Sequence, residues 1–409
     1  MDSSAPSRIK RAPEDLAILG GPRAFDDRVV LGQPNIGDRA KLHARLDAIL
    51  DSKWLTNVGP KVQELEKRLA QYLGVEHCIT VCNATIGLQM VARACFRPGG
   101  EVIAPSFTFV ATCHALSWTG YSPVFGDVSP QTHNLDPASV ESLICENTAG
   151  ILAVHLWGRP AQVEELERIA KRHKLPLVFD AAHAFACTHR GKQVGNFGDA
   201  EVLSFHATKF FNSFEGGAIV THDGALAAKL RLMRNFGFSS QDLSTIVGTN
   251  GKMSEISAAM GLGSLDIIES TIEKNRRNQE EYRKQLDNIP GMTVVNFESS
   301  EKHNFQYVVL EVDEKTARVS RDLLKQVLEA ENVFGRAYFS IGCHEMAPYA
   351  GSTAVRIPLS ESERLSKRIY VLPNGSAVDR DRIAAIGSVI RQAVVGAEQL
   401  RHLARPSVG

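Results

Sequence analysis

Between residues 78 and 222 the chain alternates short apolar runs with amphipathic helical patterns, and few architectures accept that alternation. The runs CITVC (78–82), EVIAPS (101–106), PVFGDV (123–128), GILAVHL (150–156), LPLVFDA (175–181), EVLSF (201–205) and GAIVTH (217–222) read as buried strands. Helical patterns at 85–96, 137–145 and 161–173 separate several of them. The last places Val163, Leu166, Ile169 and Ala170 on one face. Strands that are apolar on both sides need cover on both sides. The pattern therefore predicts an α/β fold with a mostly parallel central sheet between helices.

The flanks read differently. Residues 1–45 contain Pro6, Pro13, Pro22 and Pro34, which interrupt regular elements, so this stretch reads as an arm with order beginning near Trp54. Val62, Leu65, Leu69 and Leu73 then share one helical face. From Ser254 a long helical stretch runs to about 286. Strand-like FQYVVLEV (305–312), a helix at 320–330 and a last helix from about 379 to 404 follow. The expected division is an arm (1–45), a large domain (46–286) and a smaller C-terminal α/β domain (287–409), since 409 residues exceed one comfortable core.

Composition narrows the function. With 46 basic and 46 acidic side chains the formal charge is zero, which argues against nucleic-acid or membrane-surface binding. No apolar stretch reaches about 18 residues, and MDSSAPSRIKRAPEDL lacks a signal-type apolar segment, so a soluble cytoplasmic protein is expected. Cys78, Cys82, Cys95, Cys113, Cys145, Cys187 and Cys343 show no CxxC spacing. They read as free thiols, with no metal centre.

In an open parallel sheet, ligands gather at the carboxyl ends of the strands, so the residues just beyond each run carry the chemistry. After 78–82 comes Asn83-Ala84-Thr85 opening a helix, which suits either a phosphate or a simple N-cap. After 101–106, Phe107 or Phe109 is placed to stack on a flat ring, or to fill the core. Asp180 ends its strand, where a carboxylate pairs with a protonated ring nitrogen or caps a helix. SFHATK then brings Ser204, His206 and Lys209 together. A lysine among Phe205, Phe210 and Phe211 suits Schiff-base chemistry if it is not simply a surface residue. A phosphate cradle, a ring stacker, a carboxylate and a lysine in one domain are the joint requirements of pyridoxal 5'-phosphate.

From Trp54 to Tyr349 the chain resembles the DegT/DnrJ/EryC1/StrS family of aminotransferases, which act on nucleotide-linked keto-sugars. The matching stretches are WLTNVGPKVQELE, NATIGL, APSFTFVAT, VHLWGRPA, DAAHAF, SFHATK, EGGAIV, RNFGF and GTNGKMSEISAAMGL. The resemblance implies a fold-type-I pyridoxal-phosphate transferase. Lys209 is then the lysine that carries the cofactor and Asp180 the partner of its ring nitrogen. Phe109 stacks on the ring, His183 stands near the phenolic oxygen, and Ala84, Thr85 and Ser204 hold the phosphate. Asn250 resembles the asparagine that reaches the phosphate site of a neighbouring subunit, which implies a homodimer with shared active sites.

L-Glutamate is the implied amino donor. His206 resembles members that aminate C4 of a dTDP-linked 4-keto-6-deoxyglucose, where 3-keto enzymes often carry an aromatic residue. RAYFSIGCHEMAPY makes Tyr338, His344 and Tyr349 sugar-pocket candidates, with interface packing as their alternative. Two departures bear on that pocket: FFNSFEGG follows the lysine, and Asn83-Ala84 stands where serine-glycine is commoner. The related sugar 3-dehydratases replace the lysine with histidine, and Lys209 is present here. A non-catalytic regulatory relative is the other alternative. No GxGxxG follows a strand run, which disfavours a nicotinamide dehydrogenase.

Overall fold

The computed structural model of the chain describes residues 7–403. Seven strands form the central sheet: β1 (His77–Val81), β2 (Glu101–Pro105), β3 (Ser122–Gly126), β4 (Thr148–Val154), β5 (Leu177–Asp180), β6 (Ala200–Ser204) and β7 (Gly217–Thr221). Their order across the sheet is β1-β7-β6-β5-β4-β2-β3. Six run parallel, while β7 is inserted antiparallel to both of its neighbours.

The strands are nearly all buried because each feeds two cores. In β5, Leu177 and Phe179 join one apolar cluster and Val178 joins the other, on the opposite face of the sheet. Helices seal both sides. Val163, Leu166, Ile169 and Ala170 of helix Val163–His173 are buried as their spacing predicts. Helix Pro60–Leu73 likewise buries Val62, Leu65, Leu69 and Leu73, worth about 1.5–3 kcal/mol for each fully buried aliphatic side chain. Its first turn is held from afar, because the buried Glu255 carboxylate accepts from the Lys61 and Val62 N–H groups at 2.7 and 3.0 Å.

The smaller domain carries a three-stranded antiparallel sheet of β8 (Met292–Val294), β9 (Val308–Val312) and β10 (Ile369–Leu372). Helices Arg321–Ala330 and Arg380–Val395 pack on it. Helix Ile268–Leu286 joins the two domains. It follows Glu255–Asp266 after a break at Ile267, which leaves helical geometry at φ −113°, ψ 7°, so the long helical stretch is two helices.

The N-terminal residues expected as an arm pack along the smaller core. Leu16, Ala24, Phe25 and Val29 belong to the core of the small domain, and Val29–Val30 pairs in parallel with Val333–Phe334. The Glu331 carboxylate, fully buried, meets the Lys10 ammonium at 2.9 Å and accepts from the Ala17 and Ala24 N–H groups. Order also begins before Trp54. Helix Arg39–Ser52 buries only Ile49, so it has no apolar stripe to betray it. No helix among the described residues is long and apolar enough to cross a membrane.

Candidate active site

The carboxyl ends of the parallel strands open into a cavity of about 590 Å³. Ala84, Thr85, Phe109, Asp180, His183, Ser204, His206, Lys209 and Tyr338 all line it, together with Arg336 and Phe339 from the small domain. Residues spread over 255 positions of sequence are thus gathered by one sheet edge and one loop of the second domain.

At one end, helix Ala84–Cys95 begins. Asn83 caps it by accepting from the Ile86 N–H at 2.9 Å, and the N–H groups of the first turn point outward without helical partners. Strand β7 starts directly beneath. A Cβ on Gly217 would lie 2.9 Å from the Ala84 nitrogen and 2.7 Å from the Leu203 oxygen, so only glycine lets β7 pass under this turn. Small residues, N–H groups without helical partners and Ser204 on the same wall make a turn that suits a phosphate.

At the centre stands Asp180, buried at the end of β5. Its carboxylate accepts from the Thr112 hydroxyl at 2.8 Å and the Ala182 N–H at 3.1 Å. Burial still pushes its pKa up, against the opposing pull of those two bonds and of Lys209. A carboxylate in this position gains from a cationic N–H donor. The two phenylalanines differ in exposure: Phe107 is 1% exposed within an aromatic cluster, whereas Phe109 is 52% exposed on the cavity wall. Its free ring face suits stacking on a planar heterocycle.

Lys209 donates from Nζ to the Tyr307 hydroxyl at 3.1 Å. Burial lowers its pKa to about 8, with Tyr338 and Asp180 pulling the other way. His183 lies stacked near Trp157, with ring centroids 5.9 Å apart, and its Nδ1 accepts from the Trp157 backbone N–H at 3.4 Å. Burial, aided by Lys209, drives its pKa well down, so the ring is neutral. The proton then sits on Nε2, giving a donor for an anionic or phenolic oxygen.

One test needs no substrate. Below its pKa the amine is protonated and inert; above it the free amine reacts. In the cofactor-free chain, arylation of Lys209, followed by peptide mass, is expected to show a midpoint near pH 8. Surface lysines should titrate near 10.4. A Lys209 midpoint at the surface value would contradict the burial described here.

These groups fit pyridoxal phosphate feature by feature: a cradle for the phosphate, Phe109 for the ring face, Asp180 for the ring nitrogen and an amine of lowered pKa. The description of the DegT/DnrJ/EryC1/StrS aminotransferase family matches residues 37–391. The chain belongs to this family. The aminotransferase is 33% identical over 371 residues to dTDP-4-amino-4,6-dideoxy-D-glucose transaminase of Escherichia coli, covering 89% of this chain and 98% of that one. It is 30% identical to dTDP-3-amino-3,4,6-trideoxy-alpha-D-glucose transaminase of Streptomyces venezuelae, over 87% and 92% of the two chains. Among solved structures it is similar to DesI, studied in the presence of its TDP-sugar product. That similarity is 49% identity at a TM-score of 0.92, over 96% of this chain and all of DesI. The aminotransferase is a fold-type-I, pyridoxal-phosphate-dependent enzyme.

Three sequence candidates lie off the cavity wall of the aminotransferase. Tyr349 is buried at the seam between domains, its hydroxyl 2.8 Å from His114 Nδ1 and 3.3 Å from the Ser117 hydroxyl. His344 Nδ1 lies 2.5 Å from the Ser106 hydroxyl on the same seam. The polar atoms of both are used to dock the loop, as in the packing alternative. Asn250 is exposed and does not line the cavity, its backbone bridged to that of Asn235. Sequence reasoning missed Thr112, Tyr307 and Arg336. Thr112 sits within FTFVAT, but the other two sit in the small domain, where no local pattern points toward Lys209.

Proposed function

We propose that the enzyme moves the amino group of L-glutamate to C4 of a dTDP-linked 4-keto-6-deoxyglucose, releasing 2-oxoglutarate. The observation that carries this reading is a free amine of lowered pKa facing a cavity with room for a sugar ring, with His206 on its rim. His206 is held by Thr208 Oγ1 at 2.8 Å and by Glu215 at 3.4 Å. The transaminase of Escherichia coli whose name specifies a 4-amino sugar supports the position.

Bound in this site, pyridoxal phosphate supplies an electron sink that lets an amino group leave one carbon and arrive at another. The chain does the rest. The helix turn at Ala84-Thr85, with Ser204, would hold the phosphate. Phe109 would cover the ring face, Asp180 would keep the ring nitrogen protonated, and the His183 Nε2–H would donate to the phenolic oxygen. Lys209 would anchor the cofactor, and its Nζ is the base placed to move the proton of the donor's α-carbon.

The working form in this reading is a cytoplasmic homodimer whose active sites are completed across the interface, with Asn250 reaching the partner's phosphate cradle. Support comes from the segment just before Asn250, where Phe236, Phe238, Leu243 and Val247 are all exposed. Amination at C3 is the second reading, favoured by the Streptomyces venezuelae relative that carries a 3-amino sugar in its name. Incubating the holoenzyme with glutamate and matched 3-keto and 4-keto dTDP-sugars separates the two. The 4-keto sugar is expected to yield the amine at least tenfold faster, and a preference for the 3-keto sugar would reverse the assignment.

A further inference from the structure

Two cavities share a wall in this enzyme. Beside the main one lies a recess of about 60 Å³, lined by Asn35 from the N-terminal segment, by Gln306 and Tyr307, and by Asn275 and Asn374. Thr208, Arg336 and Tyr338 line both spaces. By volume the recess holds roughly four waters or one small polar group, and a sugar ring fits only the main cavity.

Arg336 is the one guanidinium on either wall among the described residues. Its backbone is fixed by a two-way bond with Val371 on β10, at 2.9 and 2.7 Å, so the side chain springs from a rigid strand. The guanidinium leans over Tyr338, 5.7 Å from the ring centroid and 3.5 Å from the hydroxyl. It meets no carboxylate among the described residues. The other charged pairs near this loop are satisfied internally: Arg364 with Glu361 and Glu311, and Arg356 with Glu101. A planar, permanently charged fork left open at the junction of two cavities is built to receive a planar anion.

We propose that Arg336 and this recess form the amino-donor subsite, in which the guanidinium holds the side-chain carboxylate of a dicarboxylic amino acid. The inference rests on the reading of the enzyme as a glutamate-dependent aminotransferase and adds where the donor is recognised. Size assigns the two substrates to different spaces. The nucleotide sugar takes the main cavity, and the donor's distal carboxylate turns into the recess while its amino end faces Lys209. Tyr307 strengthens the arrangement: its oxygen accepts from Lys209, which leaves its own O–H directed away from that amine as a second donor. Also on the recess wall, the buried Asn275 Oδ1 has no partner among the described residues and needs a donor, which a carboxylate lacks. That oxygen is left to water, and the carboxylate belongs beside Arg336.

The test is 2-oxoglutarate binding to the holoenzyme in its pyridoxal form, followed by calorimetry, beside binding of thymidine diphosphate. Arg336→Gln is expected to weaken 2-oxoglutarate roughly tenfold to a hundredfold, the range for a lost charge-assisted pair, and to leave thymidine diphosphate within threefold. Arg336→Lys should recover part of the loss. In turnover, Arg336→Gln should raise KM for glutamate and spare KM for the keto-sugar. The side chain is exposed, so folding is checked simply by matching Tm values. Unchanged 2-oxoglutarate affinity, or an equal loss for thymidine diphosphate, overturns the subsite while leaving the aminotransferase reading intact. A wild-type enzyme that converts no keto-sugar with glutamate overturns both.

Discussion

Lys209→Ala is expected to lower turnover by roughly 10⁴-fold, because one side chain serves as both anchor and proton carrier. The structure shows why nothing nearby substitutes for it. His183 is buried and neutral, and burial raises the Tyr307 phenol well above its ordinary value. His206 is turned toward Thr208 and Glu215. Among the residues lining this cavity, Lys209 alone offers a primary amine, one of lowered pKa. A readout independent of turnover is covalent attachment. Borohydride reduction of the wild-type holoenzyme should add the cofactor's mass to the peptide containing Lys209, and the variant should gain no mass. Retention of activity within tenfold of wild type would remove Lys209 from its assigned role.

The second large effect is Asp180→Asn, for which turnover should fall about 10²–10³-fold, the cost of removing one preorganised electrostatic partner from a dry site. Asparagine keeps the shape and can still accept from Thr112, but its amide nitrogen then faces the Ala182 N–H, so the loss combines the charge with one hydrogen bond. Stability should move the other way. Burial raises the carboxyl pKa in the folded chain, so relative to the unfolded chain the ionised form is disfavoured. The stability linked to the protonated acid is fully present below the unfolded value. It is lost as pH rises through the folded one. At neutral pH the cofactor-free wild type therefore bears a desolvation cost that Asp180→Asn relieves. Its cofactor-free Tm should equal or exceed that of wild type, and the gap should close as the pH falls below the carboxyl range. A cofactor-free variant of clearly lower Tm would show that Asp180 mainly braces the fold.

Much of this was legible because it depends on local pattern. The seven strand runs lie within two residues of the observed strands, since the apolar faces that define them are the faces that pack. Of the residues of the large domain expected to hold the cofactor, all but Asn250 line one cavity near the strand ends. Direction was not legible: GAIVTH is as apolar as its neighbours, and only the chain path shows that β7 runs backwards. Exposure also escaped, because Phe107 and Phe109 are chemically identical and differ only in what lies beyond each ring. The small domain hid most. His344 and Tyr349 are pocket candidates only through the resemblance of RAYFSIGCHEMAPY to the family's substrate-facing loop, and a resemblance of sequence does not show which polar atoms are already spent on docking that loop. Arg336 looked ordinary because its carboxylate-free surroundings exist only once two domains meet.

The pairing of Val29–Val30 with Val333–Phe334 also sets a timetable. On a ribosome, at about 5–20 residues per second, the first strand waits on the order of 15 to 60 seconds for its partner to emerge. Through that interval Leu16, Phe25 and Val29, all destined for the small-domain core, have no companions to bury them. The large domain can close around its own sheet first, because every strand of that sheet lies between residues 77 and 221. The two ends of the polypeptide then meet last, so the newborn chain passes through a stage with a finished cofactor domain and a sticky, unshielded beginning, the moment at which chaperone capture or aggregation would compete with completion.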